Sequence, residues 1–355
     1  MMVKKLKLLL LPFSLLYGRI MALRNALYDK DVLHAHRFAL PVIAVGNLTV
    51  GGTGKTPHVE YLLRLLAPYQ VATLSRGYKR STKGFVLASE QASATTVGDE
   101  PFQYYKDFGS VTVAVCEDRV QGIKQLQHLK PELEVIVLDD AMQHRAVQPS
   151  LNLLITDYRR PFYKDFVLPA GLLREPRGGA RRADAVLVSK CPENLQPDEK
   201  ENIMRSIRRY SSPGAPIYFT SYRYGEAVGM GMGTRPGKEV ILLTGIANAG
   251  PLVEHLLKKG FIILQHLAFP DHHHYTLQDL QRLQELLRKE KHTGASIITT
   301  RKDAVKLTAP TLATVTASLP LFYIPVQVDF LNNRQQFDQL ILQHVKALEH
   351  GQINK

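Results

Sequence analysis

The stretch Val45-Gly46-Asn47-Leu48-Thr49-Val50-Gly51-Gly52-Thr53-Gly54-Lys55-Thr56-Pro57 limits the possible folds more than any other part of the chain. An apolar run, Pro41–Val45, leads into it, and a helical pattern, Pro57–Leu66, leaves it. Proline is acceptable in a first helical turn. Glycines let successive backbone N–H groups turn inward around an anion, and a helix N-terminus adds its dipole. Thr49 to Thr56 therefore reads as a phosphate-binding loop, with Thr49 where a glycine usually opens the motif. Lys55 would reach the outer phosphates of a nucleotide, and the Thr56 hydroxyl would meet Mg²⁺. Such a loop belongs between a strand and a helix of a parallel sheet.

The rest of the chain fits that frame. Further apolar runs lie at Val71–Leu74, Val111–Val115, Glu134–Leu138, Leu151–Thr156 and Ala185–Ser189. A second set follows at Ile217–Ser221, Glu239–Leu243, Phe261–His266, Ser296–Thr299 and Phe322–Val328. Most are Val/Ile/Leu-rich without polar alternation, as strands covered on both faces are. Helical patterns occur at Arg119–Leu129, Gly250–Lys259, Leu277–Lys289 and Arg334–Leu348. Thr276 and Asp279 are spaced close to a capping box. The polar, proline-containing stretch Asn194–Pro216 and the Gly- and Met-rich stretch Gly225–Gly237 after it read as the boundary region. The expected class is α/β, with an N-terminal amphipathic helical segment (1–40), a P-loop parallel-sheet domain (41–215) and a smaller α/β domain (216–355). The strand Glu134–Leu138 ends in Asp139-Asp140, and strand ends of an open parallel sheet share the edge where the phosphate loop sits. The pair is assigned to Mg²⁺ and its surroundings, with no assignment of which carboxylate ligates directly.

Charge is uneven. Of a net +13, residues 1–40 carry +5 and residues 159–190 another +5. Two such patches suit an anionic partner. In the first segment Leu6, Leu9, Leu10, Phe13, Leu16, Tyr17 and Ile20 recur at three- and four-residue steps. Lys4, Lys5, Lys7, Arg19 and Arg24 lie near that stripe, the pattern of a helix lying in a bilayer interface, kinked at Pro12. The apolar run Leu8–Tyr17 is too short to span a bilayer. The start imitates a signal peptide without a small-x-small cleavage site and is expected to be retained. Cys116 and Cys191 are too few and too far apart for a disulfide framework or a structural zinc.

Seven blocks taken together resemble the tetraacyldisaccharide 4′-kinase (lipid A 4′-kinase) family, in family order over about residues 1–310. They are the phosphate loop, Ser75-Arg76-Gly77-Tyr78, Val97-Gly98-Asp99-Glu100-Pro101, Asp139-Asp140-x-x-Gln143-His144-Arg145 and Leu168-Pro169-Ala170-Gly171-x-Leu173-Arg174-Glu175-Pro176. Phe269-x-Asp271-His272-His273 and Thr299-Thr300-x-Lys302-Asp303-Ala304-Val305 complete the set. Ala141-Met142 stands where the family usually has Gly-Phe, and Tyr163-Lys164-Asp165 where a Gly-Asn-Gly type turn is common. The resemblance implies ATP- and Mg²⁺-dependent phosphorylation of the 4′-hydroxyl of an acylated glucosamine disaccharide 1-phosphate. It implies a peripheral position at the cytoplasmic face of the bacterial inner membrane, against an anionic surface, with no nucleic acid as partner. It carries the base role onto Asp99, with His272 as its partner and Lys55 as the catalytic cation. Arg76, Glu100, Arg119, Gln143, His144, Arg174 and Glu175 match family positions near the cleft and are the candidate substrate residues.

Two other classes can be weighed. A P-loop NTPase serving as a metallochaperone or partner switch would be expected to carry an Asn/Thr-Lys-x-Asp base-reading motif, and Ser189-Lys190-Cys191-Pro192 lacks the Asp. A nucleic-acid-binding protein is suggested by charge alone, and no helix-turn-helix, zinc or RNP signature accompanies it.

Overall fold

The computed structural model describes residues 2–290 and 294–349, with the side chains of 2–8 and of 349 outside the described part. Eight strands come first: β1 Val42–Gly46, β2 Val71–Ser75, β3 Val86–Leu87, β4 Thr112–Val115, β5 Val135–Asp139, β6 Leu151–Asp157, β7 Ala185–Ser189 and β8 Ile217–Tyr224. They are followed by β9 Val228–Gly229, β10 Glu239–Thr244, β11 Ile262–Ala268, β12 Ser296–Thr300, β13 Leu321–Ile324 and β14 Val326–Phe330. The helices are α1 Met2–Asp29, α2 Lys55–Leu65, α3 Ala94–Val97, α4 Asp99–Asp107, α5 Arg119–Leu129, α6 Pro197–Arg208, α7 Gly250–Lys258, α8 Leu277–Leu287, α9 Arg301–Leu307, α10 Pro310–Ala317 and α11 Arg334–Glu349.

Nine strands form a large sheet in the order β14-β8-β7-β6-β1-β5-β2-β4-β3, and five form a small one in the order β11-β10-β12-β13-β9. The centre of the large sheet is parallel: β1 pairs with β5 (Val42 opposite Ile136) and with β6 (Ile43 opposite Leu151). Every residue of β1, β2, β5 and β7 is buried, as the unbroken apolar runs require of a sheet covered on both faces. One covering layer holds Val59 and Leu63 of α2 with Phe337, Ile341 and Val345 of α11. The other holds Val120, Ile123 and Leu126 of α5.

Three expectations change. The sequence grouped Ile217–Ser221 with the second strand set, yet β8 continues the large sheet beside β7. Phe322–Val328 read as one strand, but Pro325 divides it: β13 lies in the small sheet, and β14 returns to pair antiparallel with β8. Proline cannot donate a ladder hydrogen bond, so the chain changes sheet there. The stretch read as a boundary holds α6, with Pro197 in its first turn and a strongly one-sided apolar face around Ile203 and Ile207. The chain thus leaves the large sheet after Tyr224 and rejoins it at Val326, so the sheet division does not coincide with 215/216. The capping box at the start of α8 is present, Thr276 and Asp279 bonding each other's backbone N–H.

α1 runs through Pro12 as one helix. Its polar side faces the protein: Ser14 Oγ accepts from Ala170 N (2.8 Å), the Tyr17 hydroxyl donates to Arg174 O (3.1 Å), and Asn25 Nδ2 donates to Glu175 Oε2 (2.7 Å). Leu9, Phe13, Leu16, Ile20 and Leu23 point outward, each more than half exposed. Of the expected stripe, Leu10 and Tyr17 are half-buried instead, and the side chains of Leu6, Lys4, Lys5 and Lys7 lie outside the described residues. Among the described residues no helix is long and apolar enough to cross a membrane.

Candidate active site

The phosphate loop joins β1 to α2 and is braced from three sides. Asn47, at the end of β1, donates from Nδ2 to Thr53 Oγ1 (2.7 Å). The Ser189 hydroxyl donates to Thr53 O (2.6 Å), and Val50 N donates to Leu172 O (2.8 Å). Gly51 and Gly54 have φ of 102° and 92°, values that favour glycine. His58, one turn into α2, is buried and links Gly54 O (2.7 Å) to Thr220 Oγ1 (3.1 Å). Burial brings its imidazole down to about 4, so at neutral pH its Nδ1–H donates to that carbonyl. Lys190 donates to Gly52 O and pairs with Asp157 (2.7 Å).

Lys55 approaches Asn47 Oδ1 (3.4 Å) and Asp140 Oδ1 (3.5 Å). Arg174 holds Asp140 with two N–H groups, Nη1 to Oδ2 (3.0 Å) and Nη2 to Oδ1 (2.7 Å), and also donates to Asn47. Burial would raise the Asp140 carboxyl, but Lys55 and Arg174 hold it well below the usual range. Asp139 behaves in the opposite way. Burial pushes it up to about 6, against the pull of Lys55 and with the push of Asp140. Its Oδ2 accepts from the Tyr104 hydroxyl (3.0 Å), while its buried Oδ1 has no protein donor. An unpartnered buried carboxylate oxygen beside a phosphate loop fits a divalent cation. Among the described residues no cluster of three or more His, Cys, Asp or Glu side chains forms a metal cage. Mg²⁺ commonly takes one or two carboxylates and completes its shell with phosphate oxygens and water. Thr56, in the first turn of α2, is half-buried next to Lys55.

α4 begins at Asp99, and its Tyr104 is the residue that reaches Asp139, so one helix spans both carboxylate sites. Across from Asp99 stands the small lobe. His272 Nδ1 lies 3.0 Å from Asp99 Oδ2, Lys306 Nζ lies 4.0 Å from the same oxygen, and Lys302 lies beside both His272 and Glu100. Burial would raise Asp99, but the His272 hydrogen bond and the charges of Lys306 and Lys302 keep it below the ordinary carboxylate range. A carboxylate ionised and buried at a cleft is a candidate proton acceptor.

The seven candidate substrate residues separate into distinct environments. Arg76 is exposed. Glu100 forms an ion pair with Lys302 (3.1 Å). Arg174 and Gln143 frame the loop, Gln143 Nε2 donating to Asn47 O (2.9 Å) and to Glu175 Oε1 (2.8 Å). Glu175 is 1 % exposed and also accepts from Arg182 (2.8 and 2.9 Å). Arg119 is 3 % exposed, its guanidinium on the carbonyls of Cys116 and Asp139, with burial bringing it down to about 10. His144 accepts from Arg119 N (3.2 Å), and burial together with the Arg119 charge brings it to about 4. Glu175, Arg119 and His144 thus each have partners within the protein. Met142 is buried, and a Cβ on Gly46 would lie 2.6 Å from its own, so the unusual Ala141-Met142 pair packs directly under β1. Tyr163-Lys164 lies in a 3₁₀ turn with Asp165 capping it and accepting from Arg160 (3.2 Å).

Sequence reasoning passed over His58, Tyr104, Lys190, Lys302 and Lys306. The two lysines beside Asp99 sit within or next to the quoted Thr-Thr-x-Lys-Asp block, which was the available signal. His58 and Tyr104 act through contacts between elements far apart in the chain and carry no local signature.

The chain is similar to known proteins over nearly its whole length. The family model described as tetraacyldisaccharide-1-P 4'-kinase matches residues 6–346. The tetraacyldisaccharide 4'-kinase of Flavobacterium johnsoniae is 44 % identical over 347 residues, covering 96 % of this chain and 98 % of that protein. The protein of the same name from Bacteroides thetaiotaomicron is 41 % identical over 355 residues, covering 95 % and 93 %. A crystal structure of the apo form of LpxK from Aquifex aeolicus in complex with ATP superposes with a TM-score of 0.75 at 32 % identity, over 96 % of this chain and 99 % of that one.

Proposed function

The chain belongs to the tetraacyldisaccharide-1-P 4'-kinase family, and from that premise we propose how its residues carry out the transfer. The enzyme is a kinase: it moves the γ-phosphoryl group of ATP to the 4′-hydroxyl of a tetraacyldisaccharide 1-phosphate in lipid A biosynthesis. Phosphoryl transfer is chiefly positioning and charge neutralisation. The loop from Thr49 through Val50, Gly51, Gly52, Thr53 and Gly54 holds the phosphates by backbone N–H groups, with Lys55 over the outer oxygens. Thr56, Asp139 and Asp140 would hold Mg²⁺, which supplies further charge neutralisation. Asp99 accepts the proton as the acceptor oxygen bonds to the γ-phosphorus, while the bond to the bridging oxygen breaks and ADP leaves with that electron pair.

The observation that carries this reading is the path through α4. Asp99 opens the helix, and Tyr104 on its second turn bonds Asp139 beside the phosphate loop. Base and phosphate subsite are thereby held in one rigid frame. By sheet membership, the kinase unit comprises 41–224 with 326–349, and the small lobe comprises 228–324. The outward apolar side of α1 supports a peripheral position on an anionic bilayer, at the cytoplasmic face of the inner membrane, where an acylated substrate resides. The test is incubation with ATP, Mg²⁺ and the acylated disaccharide 1-phosphate. A product heavier by one phosphate, located on the 4′-oxygen, is expected; ATP hydrolysis without transfer would sink the assignment.

A further inference from the structure

The contacts of the small lobe with His272 carry an inference about what the imidazole does. It rests on the reading of Asp99 and His272 given above. His272 sits with φ of 61° on the turn before α8, and both ring nitrogens are occupied. Nδ1 faces Asp99 Oδ2 at 3.0 Å, and Nε2 faces Lys302 Nζ at 3.2 Å. Asp271 Oδ2 lies farther from Nε2, at 3.8 Å, and the Tyr78 ring meets the imidazole edge-on with centroids 5.3 Å apart. An ammonium has three donors and no acceptor. Burial would lower the Lys302 amine, but Glu100 at 3.1 Å and Asp271 at 3.5 Å outweigh it and raise the amine above its ordinary value. Lys302 is therefore a cation pointing a donor at Nε2. That nitrogen can only accept, and the proton of a neutral ring must sit on Nδ1, where it is donated to Asp99.

We propose that Lys302 is a positioning residue that fixes His272 as the neutral Nδ1–H tautomer, so that His272 orients Asp99 without taking the substrate proton from it. A dyad that shared the proton would need a bare Nδ1 facing Asp99 and so a proton on Nε2, which the Lys302 donor excludes. The proton released by the acceptor hydroxyl then stays on the Asp99 carboxyl until product leaves. Lys302 and His272 both come from the small lobe and Asp99 and Glu100 from the large one. The correct tautomer is thus assembled across the junction between lobes, through the Lys302–Glu100 ion pair.

Ring ¹⁵N spectra of histidine-labelled protein, with His272 assigned by its loss in His272→Gln, test this without substrate. The wild type should show a protonated Nδ1 and a bare Nε2 at pH 7.5. Lys302→Met should lose that pattern, as the Nε2-protonated or doubly protonated ring appears, and should lower kcat at least about tenfold with KM for ATP within about twofold. Lys302→Arg, which keeps a cationic donor, should restore both the pattern and most of kcat. A protonated Nε2 in the wild type, or an unchanged ring pattern or unchanged kcat in Lys302→Met, would overturn the proposal. Should the methionine variant fail to fold, the wild-type spectrum and the arginine variant still decide. A wild type without kinase activity refutes the reading of the site, whereas the ring spectrum judges the Lys302 contact separately.

Discussion

Asp99 and His272 face each other at 3.0 Å, so their contributions to turnover should not multiply. Asp99→Ala, His272→Ala and the double variant are expected to lose comparable factors of kcat, each about a hundredfold or more, in a steady-state assay of all three. Fully multiplicative losses would show two independent groups. Gly54 offers a second check, on the phosphate side. With φ at 92° and the Tyr222 hydroxyl against the position a Cβ would take, Gly54→Ala is both strained and crowded. The variant should lose kcat/KM for ATP by at least about a hundredfold, and adding Tyr222→Phe should return only part of it, because the backbone strain remains. Single residues of this kind were readable from sequence where a motif names them: the glycines, Lys55, the two aspartates, Asp99. Their surroundings were not. Glu175 and Arg119 are candidate substrate residues by motif position in sequence; with 1 % and 3 % of their surface exposed they find partners within the protein, and nothing local in the chain announces that.

At the scale of elements, α2 and α1 make opposite compromises. α2 buries Glu60 against Gln103 of α4, with Arg64 3.7 Å away. Burial, countered by Arg64 and reinforced by Asp107, brings the Glu60 carboxyl up to about 7 from 4.5. Between those values the folded protein holds a proton that the unfolded chain has released, so stability falls as pH rises through the window. Glu60→Gln should remove that dependence. In denaturant melts the variant should gain on the wild type by something on the order of 1–3 kcal/mol from pH 5 to pH 8. A parallel pH response of the two proteins would refute it. α1 instead leaves Leu9, Phe13, Leu16, Ile20 and Leu23 outside while its polar side bonds the protein. Replacing Phe13, Leu16 and Ile20 with Ser keeps those bonds. It should weaken sedimentation with anionic vesicles about tenfold or more and raise KM for lipid, leaving KM for ATP unchanged. Unchanged vesicle binding would mean that the stripe serves something other than a bilayer. The period of this helix and the outward turn of Leu9, Phe13, Leu16 and Ile20 were legible in sequence; that Tyr17 of the same stripe would bond the protein was not.

For the whole molecule, the last thirty residues matter more than their lack of motifs suggests. Val328, Phe337, Ile341 and Val345 are buried in the same cluster as Val59, Tyr61 and Leu63 of the phosphate-loop helix and its surroundings. A chain ending at Ile324 should therefore lower the melting temperature by more than about 10 °C and lose ATP binding, read by calorimetry and nucleotide titration; an intact melt would show that the tail is dispensable. Most strands were plain from the apolar runs, the two-residue β3 and β9 excepted, whereas membership of one sheet or the other was not. Ile217–Ser221 has the composition of any buried strand and Val326–Phe330 alternates apolar with polar residues as an edge strand can, and only pairing over some hundred residues assigns them. That pairing has its own result. Tyr224 lies opposite Val326, and Gly225 N donates to Pro325 O at 2.9 Å, so the small lobe departs and returns through adjoining residues. Topologically it is a cassette hung on the tip of a hairpin. The large sheet keeps its strand order with the cassette removed and a short turn in its place, so every covalent link between the sheet that carries the nucleotide loop and the lobe that carries His272 passes through that one doorway.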